Sequence, residues 1–314
     1  MKLIRGIMKV LLIIIGILVS IIIGSFINHK IQLSKEEDLF KRPGNIVEVN
    51  GNKMSIYTEG EGRETLVFMS GGGTCSPILD FKSLYSKLND DYRIVVIEKF
   101  GYGFSDIVDE RRDIDTILSD SREALEKAGI NGPYILCPHS MSGIEALYWA
   151  EKYPEEVKAI VGLDMAVPKA YLDYKINMPL IKLSSFAANI GITRLIPGVW
   201  ESDAVKHGTL SEEEKEIYKA VFFRRTATKT MLNEVKEIKK NALLVDEGEG
   251  VNIPMLMFVS NGQGTGWSED QWKKLQKDFA LEDEKRKIVE LDCPHYVHDY
   301  EYDKISKEIK KFIN

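Results

Sequence analysis

At 314 residues the chain is long enough for one large domain or for a core with an inserted module, and 44% of its residues are hydrophobic. A net charge of −6, with 42 basic residues interleaved among 48 acidic ones, argues against nucleic acid as a partner. Three cysteines without CxxC or Cys/His spacing exclude a disulfide framework and give no zinc motif.

Residues 1–30 are predicted to be an N-terminal membrane anchor. Residues 10–27 carry no charge, and this run is about as long as a transmembrane helix requires. Lys2, Arg5 and Lys9 precede it, whereas acidic residues offset the basic ones that follow, so we expect the N-terminus inside the cell and the remainder outside. A cleaved signal peptide is the alternative, but the run is long and no A-x-A-like site follows it.

After a polar linker predicted at residues 31–44, apolar segments alternate with helical ones. The dipeptide Asn50-Gly51 predicts a hairpin between the first two strands. This alternation indicates an α/β fold with a mostly parallel sheet, whose core comprises residues 45–167 and 251–314. The predicted strands are 46–49, 53–57, 65–69, 93–98, 133–138, 157–163, 253–259 and 287–291, and the predicted helices of the core are 113–130, 267–279 and 302–313.

Between the two parts of the core, residues 168–250 show helical patterning and no convincing strand. Ser211 and the acidic residues after it predict a helix start there. Several apolar residues of this segment could form a wall, although most such residues merely pack helices together. They are Tyr171, Tyr174, Met178, Leu180, Ile181, Leu183, Phe186, Ile190 and Leu195.

A candidate nucleophile lies in the stretch PYILCPHSMSGIEALYWA, residues 133–150, which predicts a strand, a sharp turn and a helix. A serine on such a turn can attack a carbonyl, and the amides at the start of the helix can bind the resulting oxyanion. That serine is Ser140. The motif G-x-S-x-G is imperfect here, because Pro138 and Ser142 occupy the two positions where glycine is expected.

On these motifs the chain resembles the α/β-hydrolases, the superfamily of lipases, esterases and peptidases, from about Asn45 to the C-terminus. The resemblance implies an α/β-hydrolase fold in which residues 168–250 form a helical lid. It also implies an oxyanion hole from the backbone amides of Gly72, in the Ser70-Gly71-Gly72-Gly73 loop, and Met141.

The resemblance places the catalytic base after the last strand, where the chain reads CPHYVH. His295 matches the position of the family's base, and His298 is the alternative. His139 immediately precedes Ser140, and we expect its side chain to point away from the nucleophile.

The third residue of a Ser-His-acid triad, the acid that orients the histidine, is less well specified by the sequence. Many members carry it after the strand that ends here at Val259, but this chain has no acid in the tight loop after Ser260. A known alternative in the family follows the preceding strand, which gives Asp164. Asp164 could also be only a turn cap, so a residue after Ser260 remains open.

The sequence therefore predicts a serine hydrolase that cleaves an ester, thioester or amide through Ser140, His295 and Asp164, with no cofactor or metal. A small or lipid-like acyl substrate is our first expectation. The lack of Asp or Cys at position 140 argues against dehalogenase-, epoxide-hydrolase- and dienelactone-hydrolase-like activity. Two alternatives are a proline-type aminopeptidase and a catalytically inactive, membrane-tethered binding module.

Overall fold

The computed structural model describes residues 2–40 and 44–314, and within them eight strands form one sheet in the order β1-β2-β4-β3-β5-β6-β7-β8. The pairs β1–β2 and β2–β4 are antiparallel, and the remaining pairs are parallel. The strands are β1 (Asn45–Val49), β2 (Asn52–Glu59), β3 (Thr65–Met69), β4 (Arg93–Glu98), β5 (Tyr134–Pro138), β6 (Val157–Leu163), β7 (Met255–Val259) and β8 (Arg286–Glu290).

The strands follow the sequence pattern closely. β3, β5 and β7 are continuous apolar runs and are buried along their whole length, as expected for parallel strands covered on both faces. Asn50 and Gly51 form the predicted tight turn, with φ of 51° and 74° and with Val49 paired to Asn52. Such a turn requires positive φ at both central positions, which Asn and Gly tolerate best.

Helices cover both faces of the sheet and connect its parallel strands. They are α1 (Lys2–Lys35), α2 (Pro77–Asp80), α3 (Lys82–Tyr85), α4 (Ile114–Lys127), α5 (Ser142–Lys152), α6 (Pro168–Leu172), α7 (Met178–Asn189), a 3-10 helix (Ile192–Leu195), α8 (Asp203–Lys206), α9 (Glu212–Arg225), α10 (Lys229–Asp246), α11 (Glu269–Ala280), α12 (Val297–Tyr300) and α13 (Tyr302–Ile313).

Two apolar layers form the core, one on each face of the sheet. One layer includes Ile114, Leu118 and Leu125 of α4, which belong to the face that the helical periodicity predicts. The other includes Ile305 and Ile309 of α13. α4 and α13 each bury an apolar stripe against one face of the sheet, and this packing holds the parallel strands in place.

α1 is a single helix that is long and apolar enough to cross a membrane, and a signal sequence would fit the same description. It extends to Lys35, so the first five residues of the linker predicted at 31–44 are helical. Residues 41–43 of that linker lie outside the described residues.

The segment 168–250 joins β6 to β7 and contains α6 to α10, with no strand among these residues. Ser211 caps α9 by a reciprocal capping box with Glu214, as its sequence predicts. We call this segment the helical insertion. Four of the residues considered for an apolar wall instead expose more than half of their surface, namely Leu180, Leu183, Phe186 and Leu195.

Candidate active site

Ser140 lies on the turn between β5 and α5, with a φ of 53° that is uncommon for a residue other than glycine. Ser142 occupies a position where glycine is expected and has a role of its own. Its Oγ donates a hydrogen bond to the Met69 carbonyl at 2.7 Å, and it accepts one from the His139 N–H at 3.1 Å. The second serine therefore ties the turn to the end of β3 and supports the strained conformation of Ser140.

Close backbone approaches explain the two glycines beside this turn. A Cβ on Gly71 would lie 2.6 Å from the Ser140 Cβ, and a Cβ on Gly143 would lie 2.3 Å from the Ala166 carbonyl oxygen. The Ala166 N–H also donates to the Ser140 carbonyl at 2.8 Å. The turn is thus wedged between the residues that follow β3 and those that follow β6, and no larger side chain fits there.

His295 and Asp164 are hydrogen-bonded to each other. His295 Nδ1 lies 2.5 Å from Asp164 Oδ2, a short distance for a charge-assisted hydrogen bond. Since a carboxylate can only accept, Nδ1 carries the proton and Nε2 has its lone pair available. The backbone N–H of His295 donates to the Gln263 carbonyl at 2.9 Å, which holds the loop in place. This tautomer is the one that a general base requires.

The carboxylate of Asp164 is fully buried and has three further donors. Ser260 donates its N–H to Oδ1 and its Oγ–H to Oδ2, each at 2.7 Å. Trp272 donates its indole N–H to Oδ1 at 2.8 Å. Ser260 follows β7 and binds the carboxylate of Asp164, which follows the neighbouring strand, β6. Sequence reasoning missed the roles of Ser260 and Trp272, for which the chain offers no local motif.

The other two histidines near this loop lie behind His295. The His139 ring packs 4.6 Å from the His295 ring, and its Nε2 lies 3.2 Å from the His295 carbonyl oxygen. Burial lowers the pKa of His139 well below its usual range, and burial lowers that of His298 to about 3. Both rings are therefore neutral at physiological pH, and His139 supports the loop of His295 rather than pointing away from the site.

Ser140 and His295 line one cavity of about 390 Å³, together with the two predicted oxyanion donors, Gly72 and Met141. Neither amide N–H of these two residues donates a hydrogen bond to another described residue. The wall is mostly apolar and aromatic. Among the described residues that line it, none is Asp, Glu, Lys or Arg, and His295 is the one histidine. The helical insertion contributes Ala170, Tyr171, Tyr174, Ile176, Ile181, Ala227, Met231, Leu232, Val235 and Ile238 to it.

Tyr171 brings a polar group of the insertion to Ser140, the candidate nucleophile. Burial raises the pKa of its phenol, and the neighbouring phenol of Tyr174 raises it further, while a hydrogen bond with Ser140 opposes these effects. The hydroxyl therefore stays protonated at neutral pH and can donate a hydrogen bond beside Ser140.

The three cysteines are free and buried. Burial raises the pKa of Cys75 and of Cys293 to about 12 in each case, so both thiols are protonated at neutral pH. They are therefore poor nucleophiles, although in sequence Cys75 lies close to Gly72 and Cys293 lies close to His295.

Comparison with known proteins gives a consistent family. A model of the family described as alpha/beta hydrolase fold matches residues 64–185. An uncharacterized protein of Bacillus subtilis, YbdG, is 37% identical over 326 aligned positions, covering 100% of this chain and 99% of that protein.

Two solved structures share the fold at low identity. An epoxide hydrolase from Bacillus megaterium superposes with a TM-score of 0.65 at 16% identity, covering 86% of this chain and 100% of that one. A putative lipase from Acinetobacter baumannii gives a TM-score of 0.65 at 14% identity, with coverages of 91% and 95%.

Proposed function

The chain belongs to the α/β-hydrolase superfamily, and on that premise we propose that it is a membrane-anchored serine hydrolase with Ser140, His295 and Asp164 as its triad. The observation that carries this proposal is the hydrogen bond of a fully buried Asp164 to His295, which lines the same cavity as Ser140. A base oriented by a carboxylate next to a serine on a strained turn is the arrangement that activates a hydroxyl.

The proposed reaction proceeds through an acyl-enzyme. His295 Nε2 takes the proton from Ser140 Oγ as that oxygen attacks the carbonyl carbon, and the amides of Gly72 and Met141 bind the oxyanion. When the intermediate collapses, the bond to the leaving group breaks, and His295 delivers its proton to that group. Water then attacks the acyl-enzyme with His295 again acting as base, which releases the acid and restores Ser140.

The cavity wall supports an acyl substrate rather than a charged one. Its lining residues are mostly aliphatic and aromatic, and no Asp, Glu, Lys or Arg is among those that the structure describes. The acidic cluster Glu212–Glu214, which could recognise a free amine, lies outside this lining. We therefore favour a carboxylic ester over a thioester or an amide.

The anchor proposal rests on α1, which would cross the cell membrane once and leave the hydrolase domain on the extracytoplasmic side. Its charge pattern supports this orientation, because Lys2, Arg5 and Lys9 all precede the apolar run. A cleaved signal sequence would give a protein of the same fold that lacks residues 1–30 and is released from the membrane.

The substrate class can be tested with a panel of acyl esters of increasing chain length and a matched panel of aminoacyl amides. Full-length protein in detergent should hydrolyse the esters, and Ser140→Ala should reduce turnover by about 10³-fold or more. Hydrolysis of aminoacyl amides alone would establish the aminopeptidase instead. A folded wild type that turns over neither class would support the inactive binding module.

A further inference from the structure

The outer surface of the helical insertion carries a cluster of exposed apolar side chains on α7 and the 3-10 helix that follows it. Each exposes more than half of its surface, and all lie within 17 consecutive residues, at positions 180–196. Scattered apolar residues are normal on a soluble protein, whereas a contiguous cluster indicates a contact surface. The cluster, which we call the apolar rim, consists of Leu180, Leu183, Phe186, Leu195 and Ile196.

The apolar rim adjoins the helix that is proposed to cross the membrane. Residues 22, 25, 29, 32 and 33 of α1 are less exposed than their neighbours, and this spacing puts them on one face of the helix. His29 packs against Gly191, the N-cap residue of the 3-10 helix that follows α7. The apolar rim therefore begins next to the contact between α1 and the insertion.

A buried ion pair fixes this contact. The guanidinium of Arg194 donates two hydrogen bonds to the carboxylate of Glu36, at 2.7 and 2.6 Å, and its Nε donates to His29 Nδ1 at 3.0 Å. The Arg194 side chain is 8% exposed. A bidentate Arg–carboxylate pair has a defined geometry, so the direction of α1 relative to α7 is set.

The contact begins before the apolar run of α1 ends. The run extends to Ile27, whereas the less exposed face of α1 begins at Ile22, so the two overlap by six residues, or about 9 Å along the helix axis. A bilayer that covers the whole apolar run must therefore reach the surface of the insertion beside α1. That surface carries the apolar rim.

The charges around the apolar rim suit a lipid surface. Residues 174–200 contain Lys175, Lys182 and Arg194 but no Asp or Glu, in a chain with 48 acidic residues. Lys175 and Lys182 are exposed. Apolar side chains flanked by basic ones are typical of a helix that lies in the interface of a membrane containing anionic lipids.

We propose that α7 lies in the membrane interface as a second contact beside α1, and that lipid-like esters reach the active site from the bilayer past α7. Ile181 of α7 lines the cavity, while Leu180 and Leu183 on the same helix are exposed, so α7 contributes both to the cavity wall and to the apolar rim. The docking rests on the proposed membrane anchor, and the entry route rests on the proposed ester hydrolysis.

Docking can be measured by quenching with lipid-borne spin labels. Full-length protein would carry Leu183→Cys labelled with an environment-sensitive fluorophore, in vesicles of phosphatidylglycerol and phosphatidylcholine. The native cysteines are buried and leave the new thiol as the reactive one. The matched control is Leu281→Cys, which is 85% exposed but lies just before β8, at the opposite end of the strands from the active site.

We expect the fluorophore at position 183 to be quenched about twofold or more beyond that at position 281, with a blue-shifted emission. Equal quenching at both positions would overturn the proposal. A blue shift at position 183 without quenching by lipid would also overturn it, because the apolar rim would then contact protein, such as a second copy of the chain.

The entry route is tested with the double substitution Leu183→Glu and Phe186→Glu, and with Leu281→Glu as its control. Turnover of a long-chain ester embedded in vesicles should fall about tenfold in the double variant, because two carboxylates replace apolar contacts with lipid. Turnover of a water-soluble short-chain ester should be unchanged in both. Equal losses on both esters in the double variant would contradict the entry route. A wild type that hydrolyses neither ester would refute the proposed function, and the quenching result would then decide the docking alone.

Discussion

Two buried sets of carboxylate and imidazole, Asp164 with His295 and Asp299 with the adjacent His298, differ in their hydrogen bonds. Asp164 is fully buried and accepts hydrogen bonds from Ser260, Trp272 and His295. Asp299 is equally buried, yet neither of its oxygens has a partner among the described residues. Burial raises the pKa of Asp299 well above its usual range, and Asp80 and Asp203 raise it further.

The same contrast holds for the histidines. His295 has its proton fixed by Asp164 and reaches the cavity, whereas both ring nitrogens of His298 lack a partner among the described residues. Residue type and burial therefore do not distinguish the proposed catalytic residues, His295 and Asp164, from His298 and Asp299. Hydrogen-bond donors fix the position of the Asp164 carboxylate, whereas burial without donors raises the pKa of Asp299 and makes it a neutral acid.

The largest expected difference is between the two aspartates. Asp164→Asn should reduce kcat on an ester by about 10⁴-fold, because an amide favours the wrong tautomer of His295. Asp299→Asn should change kcat by less than about threefold, since an amide replaces an acid that is already neutral. Steady-state kinetics of both variants, with circular dichroism as a check on folding, would measure this, and similar losses in the two would remove the distinction.

A smaller effect is expected from the donors around Asp164. Ser260→Ala removes the hydroxyl that donates to Oδ2 and should lower kcat about 10- to 100-fold, with little change in KM. Ser260→Thr keeps a hydroxyl and serves as the matched control. If Ser260→Ala kept full activity, the orientation of Asp164 would depend on the other donors alone.

The neutral acids predict a dependence of stability on pH. Burial raises the pKa of Asp80 to about 8, so this carboxyl is neutral when folded and ionises near pH 4 when unfolded. The contribution of Asp80 to the free energy of unfolding is complete below about pH 4. It is lost as the pH rises from about 4 to about 8, and over this range the free energy of unfolding falls by up to about 1.4 kcal/mol per pH unit. Urea unfolding of full-length protein should show this fall, and Asp80→Asn should flatten it; an unchanged slope would contradict the assignment.

The smallest effect is expected for His298. His298→Gln should leave kcat within about threefold of wild type, whereas His295→Gln should abolish measurable turnover. The two residues are three positions apart in the chain, with His298 in α12, so the comparison separates the loss of a base from a local disturbance of the structure. Loss of activity in a folded His298→Gln would make His298 a candidate for the base.

The fold could be predicted from the sequence because each buried strand is a short apolar run bounded by turn residues. β3, β4 and β6 have the predicted bounds, as does α13. The choice between Asp164 and a residue after Ser260 could not be made, because β6 and β7 are neighbours and both end beside the same histidine. Only the packing shows that Ser260 donates to Asp164.

The helical insertion illustrates a second limit. Its apolar residues predict helices, but periodicity alone does not say which apolar face meets protein and which meets another medium. Tyr171 and Ile181 line the cavity, whereas Leu183 and Phe186 point outward, and this division depends on how α7 packs against α10. The short helices α2, α3 and α12 carry too few residues for any periodicity to predict them.

The most direct test of the triad is labelling of full-length protein with a fluorophosphonate, which reacts with an activated serine. Mass spectrometry should find the adduct on Ser140 in the wild type and no adduct in Ser140→Ala. Labelling should slow by orders of magnitude in His295→Ala and Asp164→Asn. Labelling of Asp164→Asn at the full rate, or no labelling of a folded wild type, would contradict the assignment of Ser140, His295 and Asp164 as a catalytic triad.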